Sequence, residues 1–283
     1  MKFSRHHLQK ILNLVAAFFL FSSSIFATPI SIPADLMKKN CTNVLDLAGR
    51  VWRQKIEIAK KSIRFRGVDS ENVEAAYSAM TPKEFDLING AQVWAERRLI
   101  PQAMNGRIPD GPALILDLGS GPASSTEIIS FYSRPDWRII GYDFAKPLVD
   151  RANKLSAEGA FKNFKGEIIR PEFVQQSITA PLRFSNRHII PRNSVDFVNS
   201  SGVVGHHLDK GGLEVFAKSL WYVLKEDGYA AIDSGPVNKP EDIIMAMESA
   251  GFRYIESMNS YFIDFRPKLI FQKISSATIL PQN

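Results

Sequence analysis

Cysteine is almost missing from this 283-residue chain: Cys41 stands alone, so no intrachain disulfide can form and the redox compartment cannot be read from its thiols. No Cys/His cluster has the spacing of a zinc site, so no metal centre is indicated. No acidic residue precedes Asp35 and no internal repeat is visible. A net charge of +6 falls to +3 once Lys2, Arg5 and Lys10 are set apart. Dispersed over the rest of the chain, that surplus is too small for a phosphate-tracking surface, and nucleic acid is not expected as a partner. What remains is globular in composition, with 45% hydrophobic and 11% aromatic residues, enough to fill a sizeable core.

The first 27 residues have three parts: a basic start (Lys2, Arg5, Lys10), an apolar run from Ile11 to Phe21, and Ser22–Ala27. That is the layout of a signal peptide cleaved after Ala27, or of an uncleaved signal anchor, since the apolar run is just short of a comfortable span. Either reading exports the rest of the chain, to the periplasm or beyond, or holds it at a membrane through this segment. Residues 28–40 contain prolines and read as a linker, 41–110 as a helical extension or lid, 111–275 as the main domain, and 276–283 as a tail. In the extension, one helix is expected over about 42–64. A second opens at Thr81, where Thr81, Pro82 and Glu84 form a capping box; it carries Phe85, Ile88, Trp94 and Leu99 until Pro101 interrupts it.

From Pro112 the pattern changes to alternating strands and helices. Strands are expected at Ala113–Leu118, Arg138–Tyr142, Phe173–Gln176, Val195–Asn199, Tyr229–Asp233, Phe252–Glu256 and Leu269–Lys273. Such alternation implies an α/β fold with a doubly wound, mostly parallel seven-stranded sheet and helices on both faces. The first strand runs into ALILDLGSGPASST, where Asp117 is followed by Gly119 and Gly121, residues that let the backbone turn sharply and a ligand approach closely. The second strand ends at Asp143, where such a sheet presents a carboxylate to ribose hydroxyls. A nicotinamide-dependent dehydrogenase is the competing reading, but Asp117 would repel a pyrophosphate and its third glycine would fall on Ser124.

In Asp117, Gly119, Gly121 and Ala123, and then in GYDFAKPLVDRANK, SVDFVNSSGVVGHHL and LKEDGYAAIDSGP, the sequence resembles the class I S-adenosylmethionine-dependent methyltransferases over about residues 112–274. The resemblance implies S-adenosylmethionine as cofactor, a reversed final strand and an enzyme transferring a methyl group. It places Gly119, Gly121 and Ala123 at the cofactor turn, Asp117 at the amino-acid end, Asp143 at the ribose and Phe144 at the adenine. Ser177 and Ile178 follow the third strand, with Ser177 where many relatives carry Asp, and Asn199 ends the fourth.

Among titratable groups, His206 and His207 are the candidate bases, His206 the first to test. In relatives the His-His-Leu segment often only starts a helix. Tyr77 is the lid residue whose hydroxyl could reach the crevice, whereas Trp94 is read as core. NSSG replaces the Asn/Asp-Pro-Pro-Tyr element of many exocyclic-amine methyltransferases, which argues against nucleic-acid bases as acceptors. A small-molecule acceptor is expected, with a non-catalytic cofactor-binding protein and a protein or lipid acceptor as alternatives.

Overall fold

The computed structural model describes residues 29–39, 44–61, 75–259 and 267–274. The leader at 1–27, Cys41 and the tail at 276–283 lie outside them. Within them, α1 (Ala34–Lys39), α2 (Val44–Lys61), α3 (Pro82–Ile88) and α4 (Gly90–Met104) precede the sheet. The alternating region then runs β1 (Leu114–Leu118), α5 (Ser124–Tyr132), β2 (Arg138–Asp143), α6 (Lys146–Ala157), β3 (Glu172–Gln175), β4 (Val195–Ser200), α7 (Val204–His207), α8 (Lys210–Val223), β5 (Leu224–Asp233), α9 (Pro240–Ser249), β6 (Phe252–Met258) and β7 (Lys268–Lys273).

The seven strands form one sheet in the order β3-β2-β1-β4-β5-β7-β6. The first five are parallel, and β7 enters antiparallel between β5 and β6. Strand periodicity divides the core: Leu116, Leu118, Ile140, Tyr142 and Val198 face α8 and α9 through Phe216, Leu220, Ile243 and Met247. Their neighbours Ile115, Ile139 and Phe197 face the other way, onto Ile100 and Met104 of α4 and Ile129 of α5. The central strands are buried on both sides, which is why they read as continuous apolar runs.

Two expectations about the N-terminal region change. The helix opened by Thr81 breaks at Asn89, whose backbone N–H caps back to Phe85 O, and not at Pro101. Pro101 sits in the last turn of α4, where it costs one hydrogen bond, and Ile100, Ala103 and Met104 around it are wholly buried, which offsets the loss. The expected linker also docks over residues 29–39. Ile30 N–H donates to Ile108 O, Gly106 N–H returns to Ile30 O, Ile32 N–H reaches Asn105 Oδ1, and Ile32 enters the core. An apolar residue at every second position of PISIP is enough to make that strap adhere.

Candidate functional site

The carboxyl ends of β1, β2 and β4 meet the α3–α4 extension around a cleft of about 520 Å³, counted to its open mouth. Its floor begins at the turn after β1. Gly119 N–H and Ser120 N–H both donate to Tyr142 O at 2.7 and 2.9 Å, stapling the turn to the end of β2. Gly119 has φ +79°, and a Cβ there would lie 1.9 Å from Val203 Cγ2; at Gly121, φ is +53° and a Cβ would lie 2.7 Å from Phe85 Cζ. Ala123, at the third position of the turn, adopts φ +84° and begins α5. An alanine in that left-handed region costs about 1–2 kcal/mol, the strain a glycine avoids.

Beneath the turn lies a closed polar chain. Asp117 is wholly buried and accepts from Ser125 Oγ (2.7 Å), Thr126 Oγ1 (2.5 Å) and Asn199 Nδ2 (2.8 Å). The ammonium of Lys268, also wholly buried, donates to Asn199 Oδ1 (3.1 Å) and Ser201 Oγ (3.0 Å) and pairs with Asp233 at 2.6 Å. Burial pushes the Asp117 carboxyl upward, against the pull of its donors and of Lys268. At the edge of the floor Asp143 accepts from Gly121 N–H (3.0 Å) and Ala145 N–H (2.9 Å). It is nearly buried, and desolvation carries its pKa to about 6 despite those bonds.

The roof is built differently. Gln92 and Glu96 lie one turn apart on α4, and Gln92 Nε2 donates to Glu96 Oε1 at 2.8 Å. Gly202, at φ +71°, leaves the space that the Gln92 amide fills. Glu96 is 4% exposed and its pKa rises to about 7, first through burial and then through repulsion from Asp233, which Lys268 and Gln92 only partly offset. Tyr77 packs edge-on to His207, with ring centres 5.6 Å apart, and lies near Phe85 and Phe144. Its hydroxyl stands 3.3 Å from His207 Nε2. Among the described residues the buried His207 Nδ1 has no hydrogen-bond partner, and desolvation lowers the ring's pKa to about 4. The Tyr77 phenol is pushed upward by burial and by Asp143.

The fold therefore gathers Gly119, Asp143, Phe144, Tyr77 and His207 around one cleft. Other expected residues do not line it. Asp117 and Asn199 lie under the floor with their polar groups engaged, and Gly121 and Ala123 shape the turn from behind. Ser177 is exposed and bonded to Thr179, while Ile178 turns into the core. Of the two histidines it is His207 that faces the cleft, because α7 is a single turn and neighbouring residues on it point about 100° apart. Sequence reasoning misses Glu96: along the chain it is one acidic residue among the polar positions of a helix, and only the docking of that helix in the fold buries it. Among the described residues the cleft's lining contains two carboxylates and neither lysine nor arginine. Among the described residues no group of three or more His, Cys, Asp and Glu could hold a metal ion.

Residues 116–232 match the family model described as a methyltransferase domain. No curated protein matches the chain. Among solved structures, a TehB-like SAM-dependent methyltransferase from Corynebacterium glutamicum is similar at 20% identity and a TM-score of 0.50, covering 70% of this chain and 99% of that one. A SAM-dependent methyltransferase from Aquifex aeolicus is similar at 16% identity and a TM-score of 0.51, covering 71% and 98%. Residues 116–232 thus match a methyltransferase domain, and the mostly parallel seven-stranded sheet is the fold of those SAM-dependent methyltransferases.

Proposed function

We propose that the protein transfers the methyl group of S-adenosylmethionine to a small-molecule acceptor held in the cleft between the glycine turn and α3–α4. The observation that carries this reading is the charge of the lining: Glu96 and Asp143 face the cleft, and among the described residues no lysine or arginine lines it. Such a lining suits a ligand bringing an ammonium, a sulfonium and hydroxyls, and disfavours the pyrophosphate of a nicotinamide dinucleotide. When bound, S-adenosylmethionine supplies a methyl group made electrophilic by its positive sulfur.

The chain's own groups would do the rest. Asp143 uses one lone pair of each carboxylate oxygen on backbone N–H groups, and its remaining lone pairs are free for ribose hydroxyls. Tyr77, Phe85 and Phe144 exclude water from the reacting centre, and aromatic faces favour a cation near them. Glu96 exchanges its proton near neutral pH, which fits it to take the proton an acceptor sheds on methylation. The His207 ring stays neutral at that pH and holds the Tyr77 hydroxyl in place. By the same reading the chain is exported or anchored through residues 1–27.

The test is calorimetric titration of the full chain with S-adenosylmethionine and, separately, with NADH. Asp143→Ala, measured where circular dichroism shows it folded, is expected to weaken cofactor binding on the order of tenfold to a hundredfold, the worth of a charge-assisted pair of hydrogen bonds. Glu96→Gln is expected to lose incorporation of labelled methyl into cell-extract small molecules by a far larger factor than it weakens cofactor binding. NADH binding in place of S-adenosylmethionine would overturn the reading. Cofactor binding with no labelled product in any fraction would leave a binding protein in its place.

A further inference from the structure

The outward face of α2 exposes large apolar side chains among cations. Trp52 is 68% exposed and Ile56, one turn on, is 37% exposed. Both stand proud of a helix whose sequence, VLDLAGRVWRQKIEIAKK, carries five cations against two acids. At about 100° per residue, Lys55 and Arg53 flank that apolar pair on opposite sides, and Arg50 lies further round on the Arg53 side. Behind Arg53 is a recess of about 510 Å³ lined by Arg50, Arg53, Lys83, Asp86, Leu87 and Gly90. Its one acid, Asp86, is already drawn to Arg151 at 3.7 Å, and Arg53, Lys55 and Lys83 form no ion pair among the described residues.

We propose that this face of α2 docks on an anionic lipid surface, with Trp52 and Ile56 entering the interface and lipid phosphate seated against Arg50, Arg53 and Lys83. Exposed tryptophan beside aliphatic and cationic residues is the make-up of a helix lying in the plane of a membrane. No described helix is long and apolar enough to cross one, so contact through α2 is peripheral. Anionic headgroups are favoured over a protein partner because the recess offers cations without a shaped apolar pocket for a side chain. The leader read at 1–27 brings the chain to a membrane, and α2 starts 17 residues after it. The proposal does not depend on the methyl-transfer reading.

The test uses the full chain and vesicles of phosphatidylcholine, with or without phosphatidylglycerol and with acyl chains brominated. Four tryptophans are present and none lies in residues 1–30, so quenching reports the folded part and not the leader. Trp137 is buried and Trp94 and Trp221 are partly covered, which leaves Trp52 as the reporter. Quenching of Trp52 is expected to need phosphatidylglycerol, to weaken with salt, and to vanish in Trp52→Phe, whatever binding the leader contributes by itself. The double variant Arg53→Ala with Lys83→Ala is expected to bind roughly tenfold to thirtyfold more weakly at unchanged melting temperature. Equal quenching on neutral vesicles, unquenched tryptophan on bound vesicles, or wild-type lipid dependence of quenching in the double variant would each overturn the proposal. So would inorganic phosphate binding at Arg53 and Lys83 with no vesicle binding at all.

Discussion

The floor and the roof of the cleft solve opposite problems with the same kinds of residue. On the floor, Asp117, Asn199 and Lys268 are wholly buried and joined to one another, and Lys268 pairs with the part-buried Asp233, so the strand ends are tied across four strands. In the roof, among the described residues Glu96 has one donor and His207 a ring nitrogen with none, and both have proton affinities displaced by burial. A satisfied network holds shape and resists exchange of protons, whereas an under-satisfied one is available to a ligand. Carboxylates occur in both places; what differs is how many partners each one has.

The largest expected effect breaks the floor. Lys268→Met keeps the bulk of the side chain but leaves Asp233 without its cation and Asn199 and Ser201 without their donor. Removing one member of a buried ion pair costs about 3–5 kcal/mol. Urea melts should show that loss globally. A loss confined to cofactor affinity, with the melt unchanged, would mean that the floor is no more structural than the roof.

How much of this contrast the sequence discloses depends on range. The floor is legible in part: Asp117, Gly119, Gly121 and Asp143 stand at strand ends within 27 residues, and a strand–turn–helix pattern is a local signal. Asn199 can be placed at the end of β4 by the same logic. Lys268 cannot, because it becomes buried only when β7 inserts antiparallel between β5 and β6, and nothing near it in sequence requires that. The roof is harder to read. The capping box of α3 is local and the structure reproduces it at Thr81. The break at Asn89 and the burial of Glu96 follow from docking on the sheet. Pro101 misleads for the converse reason, a local rule losing to tertiary burial. The leader, read from the sequence alone, lies outside the described residues.

A second effect, of about 3 kcal/mol, distinguishes the roof by its response to pH. Glu96 has a folded pKa near 7 against an ordinary value of 4.5, so the folded state holds its proton more tightly than the unfolded state. Its contribution is fully present below about pH 4.5 and is lost as pH rises toward 7, at about 1.4 kcal/mol for each pH unit crossed between those values. Relative to wild type, Glu96→Gln should therefore gain about 3 kcal/mol across that interval. His207 has the opposite sign. Its neutral ring is favoured by folding, so its contribution is present above pH 6.5 and is lost as pH falls toward 4. His207→Gln should accordingly lose ground to wild type over the range where Glu96→Gln gains it. Melts at a series of pH values check both, and parallel profiles for the two variants would show that the roof does not hold displaced groups.

The smallest expected effect separates roof from floor by cooperativity. Thr81 N–H donates to Glu84 Oε2 at 2.7 Å while Glu84 N–H donates to Thr81 Oγ1 at 3.3 Å, closing the first turn of α3. Thr81→Ala removes the acceptor for Glu84 N–H and is expected to cost about 1 kcal/mol. Helix α3 is seven residues long and too short to persist without its docking contacts. The cost should therefore appear as local opening, with faster amide exchange in 82–93 and little change at Leu116 or Val198 in the core strands. Phe85, on α3, covers Gly121, so opening there uncovers the turn as well. If Thr81→Ala instead speeds exchange equally in α3 and in β1, roof and floor unfold as one unit, and the cleft has no independently opening side.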